Sequence, residues 1–167
     1  MRTGRNRRGV AILEFTMVGI PVIFLTASVI EMSIEAWRFS SMMNAIQVAG
    51  RYACAHGRTC GKGGNSCLIK VKDVTNLITA QAPSLSSGQL NITLTTQNAT
   101  VTCNPVSSCS SNTTQFPSSA DNGVGLPVTI TATYPMNTPF PMVWFGSTTA
   151  GQSAVTLGAT TTQLIDF

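Results

Sequence analysis

An apolar run near the start of the chain restricts the fold more than any other feature of the sequence. It extends from Val10 to Ile30, and Glu14 is its only charged residue. A helix of this length rises about 31 Å at about 1.5 Å per residue, which is about the thickness of the hydrocarbon core of a bilayer. We therefore expect residues 10–30 to form a transmembrane helix.

The segment before this run, residues 1–9, is short, polar and basic. It contains four arginines, Arg2, Arg5, Arg7 and Arg8. After Gly9 the basic and acidic residues are equal in number and scattered, so the chain lacks the cation cluster that nucleic acid binding requires. Positive charge beside a membrane segment holds that side in the cytoplasm, so we expect a cytoplasmic N-terminus and an exported C-terminus.

The helical pattern continues past the apolar run with a change of character. No proline interrupts residues 31–56, and apolar residues recur there mostly at steps of three and four, which predicts an amphipathic continuation of the same helix to about Ala55. Gly57 and the glycines that follow predict its end. The apolar positions are Ile34, Trp37, Met42, Ala45, Ile46, Ala49 and Tyr52.

The remaining residues, 57–167, predict a small exported α+β domain. A short helix is expected from Leu68 to Ala82, with Pro83 as its stop. Alternating apolar and polar residues then predict antiparallel strands near residues 90–95, 99–103, 128–134 and 155–159. Gln97 and Asn98 could form the turn of the first pair, and the polar residues 104–125 are expected to form a surface loop. The fold class is therefore α+β, a long N-terminal helix followed by a small antiparallel sheet with a short helix.

The five cysteines lie downstream of the membrane-directing segment, where an oxidising compartment favours disulfides. The short separation of Cys103 and Cys109, across a turn at Asn104 and Pro105, predicts a bridge between them. A second bridge could join two of Cys54, Cys60 and Cys67, and an odd number leaves at least one thiol over. A metal site built from these three cysteines and His56 is disfavoured, because their spacing matches no zinc knuckle.

Few residues in the chain could support catalysis. His56 is the only histidine, and the many serines lie in no nucleophile motif such as G-x-S-x-G or S-x-x-K. The glycines at 57–64 follow a helix instead of preceding one, which is the wrong order for a phosphate loop. We expect no enzymatic activity, no cofactor and no bound metal.

Glu14 is the most informative residue, because a carboxylate within an apolar run is costly in lipid and is usually functional there. The alternative is that it reaches the interface by snorkelling. If the chain is cut after Gly9, Val10 gains a free amino group, and Glu14 lies at the i+4 position from it. A neighbouring subunit's amine could then pair with Glu14 in lipid.

The segment RRGVAILEF resembles the prepilin signature, in which a basic leader ends in glycine and a glutamate is the fifth residue after it. The longer stretch GVAILEFTMVGIPVIFLTASVIEMS is similar to the TadE-like minor pseudopilins of the tight adherence (Flp) pilus. In that resemblance Glu31 corresponds to a second family glutamate and Pro21 to a proline that kinks the helix. The similarity is strong over the first 35 residues and loose over residues 126–163; it does not cover the cysteine-bearing middle.

The resemblance implies a minor pilin or pseudopilin that takes part in pilus assembly, adhesion or secretion. Its implied partners are a prepilin peptidase cutting between Gly9 and Val10, other pilin and pseudopilin subunits, and the inner-membrane assembly machinery. The implied location is the bacterial inner membrane, in a single pass with the C-terminal domain periplasmic or extracellular, and incorporation into the pilus.

Two alternatives belong to other classes of protein. The chain could be secreted through an ordinary signal peptide cut near Thr26, Ala27 and Ser28, or it could be a single-pass anchored binding protein that keeps its leader. The proline-rich stretch 134–146 carries Phe140, Trp144 and Phe145, which are candidate interface residues. These rings could equally cover the sheet.

Overall fold

The computed structural model describes residues 7–57, 61, 67, 69–136 and 155–166, with the backbone alone at residues 7–11, 136 and 155. It has a long helix followed by a small α+β domain, as the sequence predicts. The elements in order are α1 (Arg7–Ala55), α2 (Val71–Gln81), β1 (Asn91–Thr95), β2 (Thr100–Cys103), a short 3-10 helix (Val106–Cys109), β3 (Pro127–Met136) and β4 (Val155–Leu164).

The helix α1 combines two segments of different environment. It contains 49 residues, so it is roughly 73 Å long at about 1.5 Å per residue. It continues through Pro21 as one helix. The N-terminal part is apolar and exposed, whereas buried residues from Met42 to Cys54 pack into the domain.

Small residues allow the second part of α1 to lie close to the sheet. Ala45, Ala49 and Ala53 are fully buried along one side of the helix. A Cβ added at Gly50 would come within 3.3 Å of the Gln163 side chain on β4, and Gln163 in turn donates from Nε2 to the carbonyl of Gln47 at 3.4 Å. The contact between α1 and β4 therefore depends on short side chains.

The sheet is antiparallel, with its four strands in the order β2-β1-β3-β4. The first hairpin turns at residues 96–99, where the predicted Gln97 and Asn98 lie, and the backbone N–H of Thr96 bonds the carbonyl of Ala99 at 2.8 Å. Strand β3 pairs with β1 through Thr133 and continues beyond it along β4. Pro135 lies in that extension, where β1 no longer needs an N–H from β3.

The two faces of the sheet differ in their side chains and in burial. Ile92, Leu94, Ile130 and Ala132 point toward the helices and are fully buried. The opposite face presents threonines in register, so that two rows cross all four strands. The first row is Thr100, Thr95, Thr129 and Thr162, and the second is Thr102, Thr93, Thr131 and Thr160.

The segment 104–125 is more than the surface loop that its composition predicts. Val106, Phe116 and Asp121 are buried. Lys70 and Gln115 form an isolated antiparallel bridge, and the carbonyls of Thr114 and Asn112 accept from the backbone of Val71 and Lys72. The backbone of Ile69 and Lys70 pairs with the segment 104–125. For this reason α2 begins at Val71 and not at the predicted Leu68.

The apolar positions of the amphipathic part of α1 differ in burial. Ile34 and Trp37 share the helical spacing of Met42 and Ile46, yet they are 43% and 61% exposed. They lie on the outer side of the helix, before the segment that packs on the sheet. Their exposure extends the apolar surface of α1 beyond the expected transmembrane span.

Core packing predicts a clear contrast between two positions on α1. Ile46 is fully buried, whereas Trp37 is largely exposed. Ile46→Ala should lower the free energy of unfolding by about 3 kcal/mol, because it removes a buried side chain and leaves a cavity. Denaturant unfolding of the full chain in detergent measures this. Trp37→Ala is the control, and an equal loss from both variants would contradict the packing described.

Candidate membrane anchor and assembly surface

The exposed side chains of α1 form one long apolar surface. Large apolar residues with at least 39% exposure occur from Ile12 to Phe39. The helix is long and apolar enough to cross a membrane, and it lies near the N-terminus. Soluble proteins seldom expose so large a contiguous apolar surface, and its chemistry is suited to lipid or to packing with other helices.

Glu14 lies within this surface and is exposed. Its neighbours Leu13 and Phe15 are 66% and 77% exposed, so the carboxylate is surrounded by side chains suited to lipid. The only ion pair within the described residues joins Glu35 and Arg38. Glu14 therefore has no cationic partner in the described part of its own chain.

The predicted cleavage site lies at the start of α1. Gly9 and Val10 are both within the helix, of which only the backbone is described there. Glu14 is one helical turn beyond Val10. The structure thus keeps Val10 and Glu14 on one continuous helix, as the sequence predicts.

A second acidic group lies where the apolar run ends. Glu35 is 8% exposed, and its Oε1 accepts a hydrogen bond from Arg38 Nη1 at 2.6 Å. Its Oε2, and Oε1 of Glu31, are buried without a hydrogen-bond partner among the described residues. Such atoms lose their water without compensation, which is costly. The resemblance points to Glu31 but not to Glu35, although the spacing of Glu35 from Glu31 and from Arg38 is helical.

The cysteines divide into bonded and free. Cys103 and Cys109 form the predicted disulfide, with their Cα atoms 5.6 Å apart. Cys67 is also disulfide-bonded, and Cys54 is a buried free thiol. Cys54 is therefore excluded from the second bridge that the sequence left open, and Cys60 lies outside the described residues.

Burial, and secondarily the charge of Asp166, raise the pKa of the Cys54 thiol to about 11. A protonated, buried thiol is a poor nucleophile and a poor metal ligand. In the described part of the chain, no three His, Cys, Asp or Glu side chains are close enough together to hold a metal ion. Cys54 is thus a core side chain, without the reactivity of a functional thiol.

Asp121 is the only charged residue between residues 74 and 165, and it is fully buried. Its carboxylate accepts hydrogen bonds from Thr96 Oγ1 at 2.7 Å, Ser118 Oγ at 3.0 Å and Asn98 Nδ2 at 2.5 Å. The bond from Thr96 is the largest cause that lowers the pKa of Asp121, and the bonds from Asn98 and Ser118 act in the same direction. This carboxylate joins the β1–β2 turn to the segment before β3, which composition alone did not reveal.

The aromatic candidates Phe140, Trp144 and Phe145 lie outside the described residues, so their role stays a prediction. Comparisons of the chain with protein-family models, with curated protein sequences and with solved structures find no match. The resemblance to TadE-like pseudopilins therefore rests on the sequence pattern alone, chiefly that of the first 35 residues.

The raised pKa of Cys54 predicts slow alkylation. Two pKa units reduce the thiolate fraction at pH 8 by about a hundredfold, so Cys54 in the folded chain should react at least that much more slowly than an exposed cysteine. Thr160→Cys in a Cys54→Ser background supplies the exposed control. Equal rates of iodoacetamide labelling for the two chains would contradict the burial of Cys54.

The same shift has a consequence for stability. Below pH 9 the thiol is protonated in both folded and unfolded chains, whereas between pH 9 and about 11 only the unfolded chain loses the proton. The stability of the parent chain should therefore fall in that range more steeply than that of Cys54→Ser.

The lowered pKa of Asp121 predicts an acid-sensitive stability. The folded chain holds this group ionised below its usual pKa of 3.8, so its contribution is present above that pH and is lost as the pH falls below it. Asp121→Asn should lower the Tm at pH 7. The difference in Tm between this variant and the parent chain should become smaller as the pH is lowered. The exposed Asp166→Asn is the control; a difference independent of pH would contradict the role of the charge.

Proposed function

We propose that the protein is a minor pilin or pseudopilin subunit that is stored in the bacterial inner membrane and cleaved after Gly9. The observation that carries the proposal is that one helix supplies both an exposed apolar surface from Ile12 to Phe39 and the core of a small domain. A filament subunit needs such a helix, because the same surface lies in lipid before assembly and against neighbouring helices afterward.

Glu14 supports this proposal by its chemistry. A lone carboxylate in an apolar surface is unfavourable in lipid, and it has no cationic partner among the described residues. Cleavage after Gly9 creates a new amine at Val10. Pairing of that amine with Glu14 of a neighbouring copy offsets the cost of the charge and sets the register between subunits.

The apolar surface also argues against simple secretion. A cut near Ser28 would leave Met32, Ile34 and Trp37 on the secreted product, where they are 54%, 43% and 61% exposed. Such a patch in water favours association or aggregation. A helix that stays in the membrane or in a filament does not meet this difficulty.

Under this proposal the prepilin peptidase, other pilin subunits and the inner-membrane assembly machinery are the partners. The domain after α1 lies on the periplasmic or extracellular side. Its sheet and disulfide contribute structure and an exposed surface, and the chain performs no catalysis.

Variants at Gly9 and Glu14 separate processing from assembly. Gly9→Val should accumulate uncut, because only glycine lets the backbone approach a protease closely at that position. Glu14→Val should insert and be cut normally but fail to enter the filament. Thr16→Val, which also replaces an exposed polar side chain of the same segment with valine, is the control and should assemble.

Mass spectrometry of the mature chain and of the sheared filament fraction measures both effects. A mature N-terminus at Val10 agrees with the proposal. A start near Val29 would indicate secretion, and a start at Met1 or Arg2 an uncleaved anchor. Assembly of Glu14→Val at the parent level would refute the pairing of Glu14 with an amine.

A further inference from the structure

Among the described residues, no further strand pairs with either edge of the sheet. The strand β4 extends over residues 155–164 and is paired on one side only, with β3; β2 is paired on one side only, with β1. Among the described residues, no backbone hydrogen bond reaches either strand from outside these ladders. Within the described part of the chain, the outward backbone donors and acceptors of both edge strands therefore have no backbone partner.

Both edge strands lack the side chains that usually prevent edge pairing, although β2 is short, with four residues. Soluble proteins guard long edge strands with lysine, proline, a bulge or an inward-pointing charge. Neither β2 nor β4 contains a charged residue or a proline. Apart from the buried Asp121, the sequence from residue 74 to residue 165 carries no charge at all.

The strand directions make the two edges complementary. Each neighbouring pair in the order β2-β1-β3-β4 is antiparallel, so β2 and β4 run in opposite directions. If a second copy is placed beside the first by sideways translation, its β2 meets β4 of the first copy in antiparallel orientation. The two α1 helices then remain parallel and on the same face of the extended sheet.

Other pairings conflict with a shared membrane. Antiparallel pairing of β4 with a second β4 would reverse one α1 relative to the other, which two chains of the same topology in one membrane cannot achieve. Parallel pairing of the same two edges would place the two α1 helices on opposite faces of the sheet. Translation alone keeps both anchors side by side.

The threonine rows define a register for the contact. They end at Thr162 and Thr160 on β4 and begin at Thr100 and Thr102 on β2. Within one chain, Thr129 and Thr162 already share a hydroxyl hydrogen bond at 2.9 Å, and Thr131 and Thr160 share one at 3.2 Å. Continuing the rows places Thr162 opposite Thr100 of the next copy and Thr160 opposite Thr102, which is one consistent antiparallel register.

The layer of helices has about the same width as the sheet. Four strands at about 4.8 Å span roughly 19 Å, and two packed helices at 8–10 Å span about the same. The helices α1 and α2 share one core cluster on the inner side of the sheet. Val106, Cys109 and Phe116 of the segment 104–125 also pack into this core. The two helices by themselves are therefore no wider than the sheet.

We infer that β4 of one copy pairs with β2 of a neighbouring copy, so that the sheets join into one continuous sheet above parallel membrane helices. The contact is heterologous and does not close on itself, so it propagates into a row of subunits. The inference rests on the proposed function, since the requirement for parallel anchors comes from a shared membrane. It adds a contact between exported domains to the contact between helices.

Disulfide crosslinking of the full chain in its membrane tests the register. The variant carrying both Thr100→Cys and Thr162→Cys should form covalent multimers beyond the dimer, with peptide mapping that joins residue 100 of one copy to residue 162 of another. Each single variant should remain largely monomeric. Efficient dimers of Thr162→Cys alone, or no crosslink in the double variant, would overturn the inference.

Charged residues at Thr160 and Thr102, the pair next to the two cysteines, supply a matched control in the same double-cysteine chain. Adding Thr160→Lys and Thr102→Lys should lower the yield of multimers by up to about fivefold, because like charges then face each other across strands. Thr160→Lys with Thr102→Glu should restore the yield. Equal yields for the two combinations would also overturn the inference.

The mature N-terminus distinguishes this inference from the proposed function. Crosslinked multimers of chains that begin at Met1 would support edge pairing and refute the leader-cleaved pilin. Chains that begin at Val10 and enter the filament without the crosslink would support the pilin and refute edge pairing.

Discussion

The helix α1 packs closely on β3 and β4, and this contact fixes where the sheet lies relative to the helix. Ala45, Ala49 and Ala53 are fully buried, and Gly50 meets the side chain of Gln163. Larger side chains at these positions would push the helix away from β3 and β4. This contact ties the sheet to the same helix that carries the apolar surface, so that a displacement of α1 also displaces the strands packed on it.

Charged residues are distributed unevenly along the chain. Residues 1–9 are basic, the long helix carries a few acids, and residues 74–165 carry one charged residue. This residue, Asp121, is balanced by three neutral donors. The surface of the sheet therefore consists of hydroxyl and methyl groups, which favour hydrogen bonding and packing with a neutral neighbour over long-range electrostatic attraction.

Among the described residues, Glu31 and Glu35 each have a buried oxygen without a hydrogen-bond partner. Both residues lie on α1 between the apolar run and the part that packs into the domain. Arg38 satisfies one oxygen of Glu35 and leaves the other unpaired among the described residues. A helix that ended its apolar run with leucine would avoid this cost. These polar atoms lie after the end of the apolar run at Ile30 and before Met42, the first core residue of α1.

Periodicity and composition determined much of this fold. The apolar run, the helix to Ala55, the strands and the Cys103–Cys109 bridge all depend on local spacing, which is visible in one dimension. The pilin resemblance is likewise local, because it consists of a glycine and a glutamate at a fixed interval in an apolar segment.

Contacts between residues far apart in the sequence become visible only in the folded chain. Trp37 has the spacing of a core residue but lies before the part of α1 that the sheet covers. Phe116 and Asp121 lie in a stretch of polar composition but are buried, because that stretch caps α2 and contacts the β1–β2 turn. The strand order depends on pairing between distant segments, and so do the opposite directions of the two edge strands. Local preference carries no information about which strands pair.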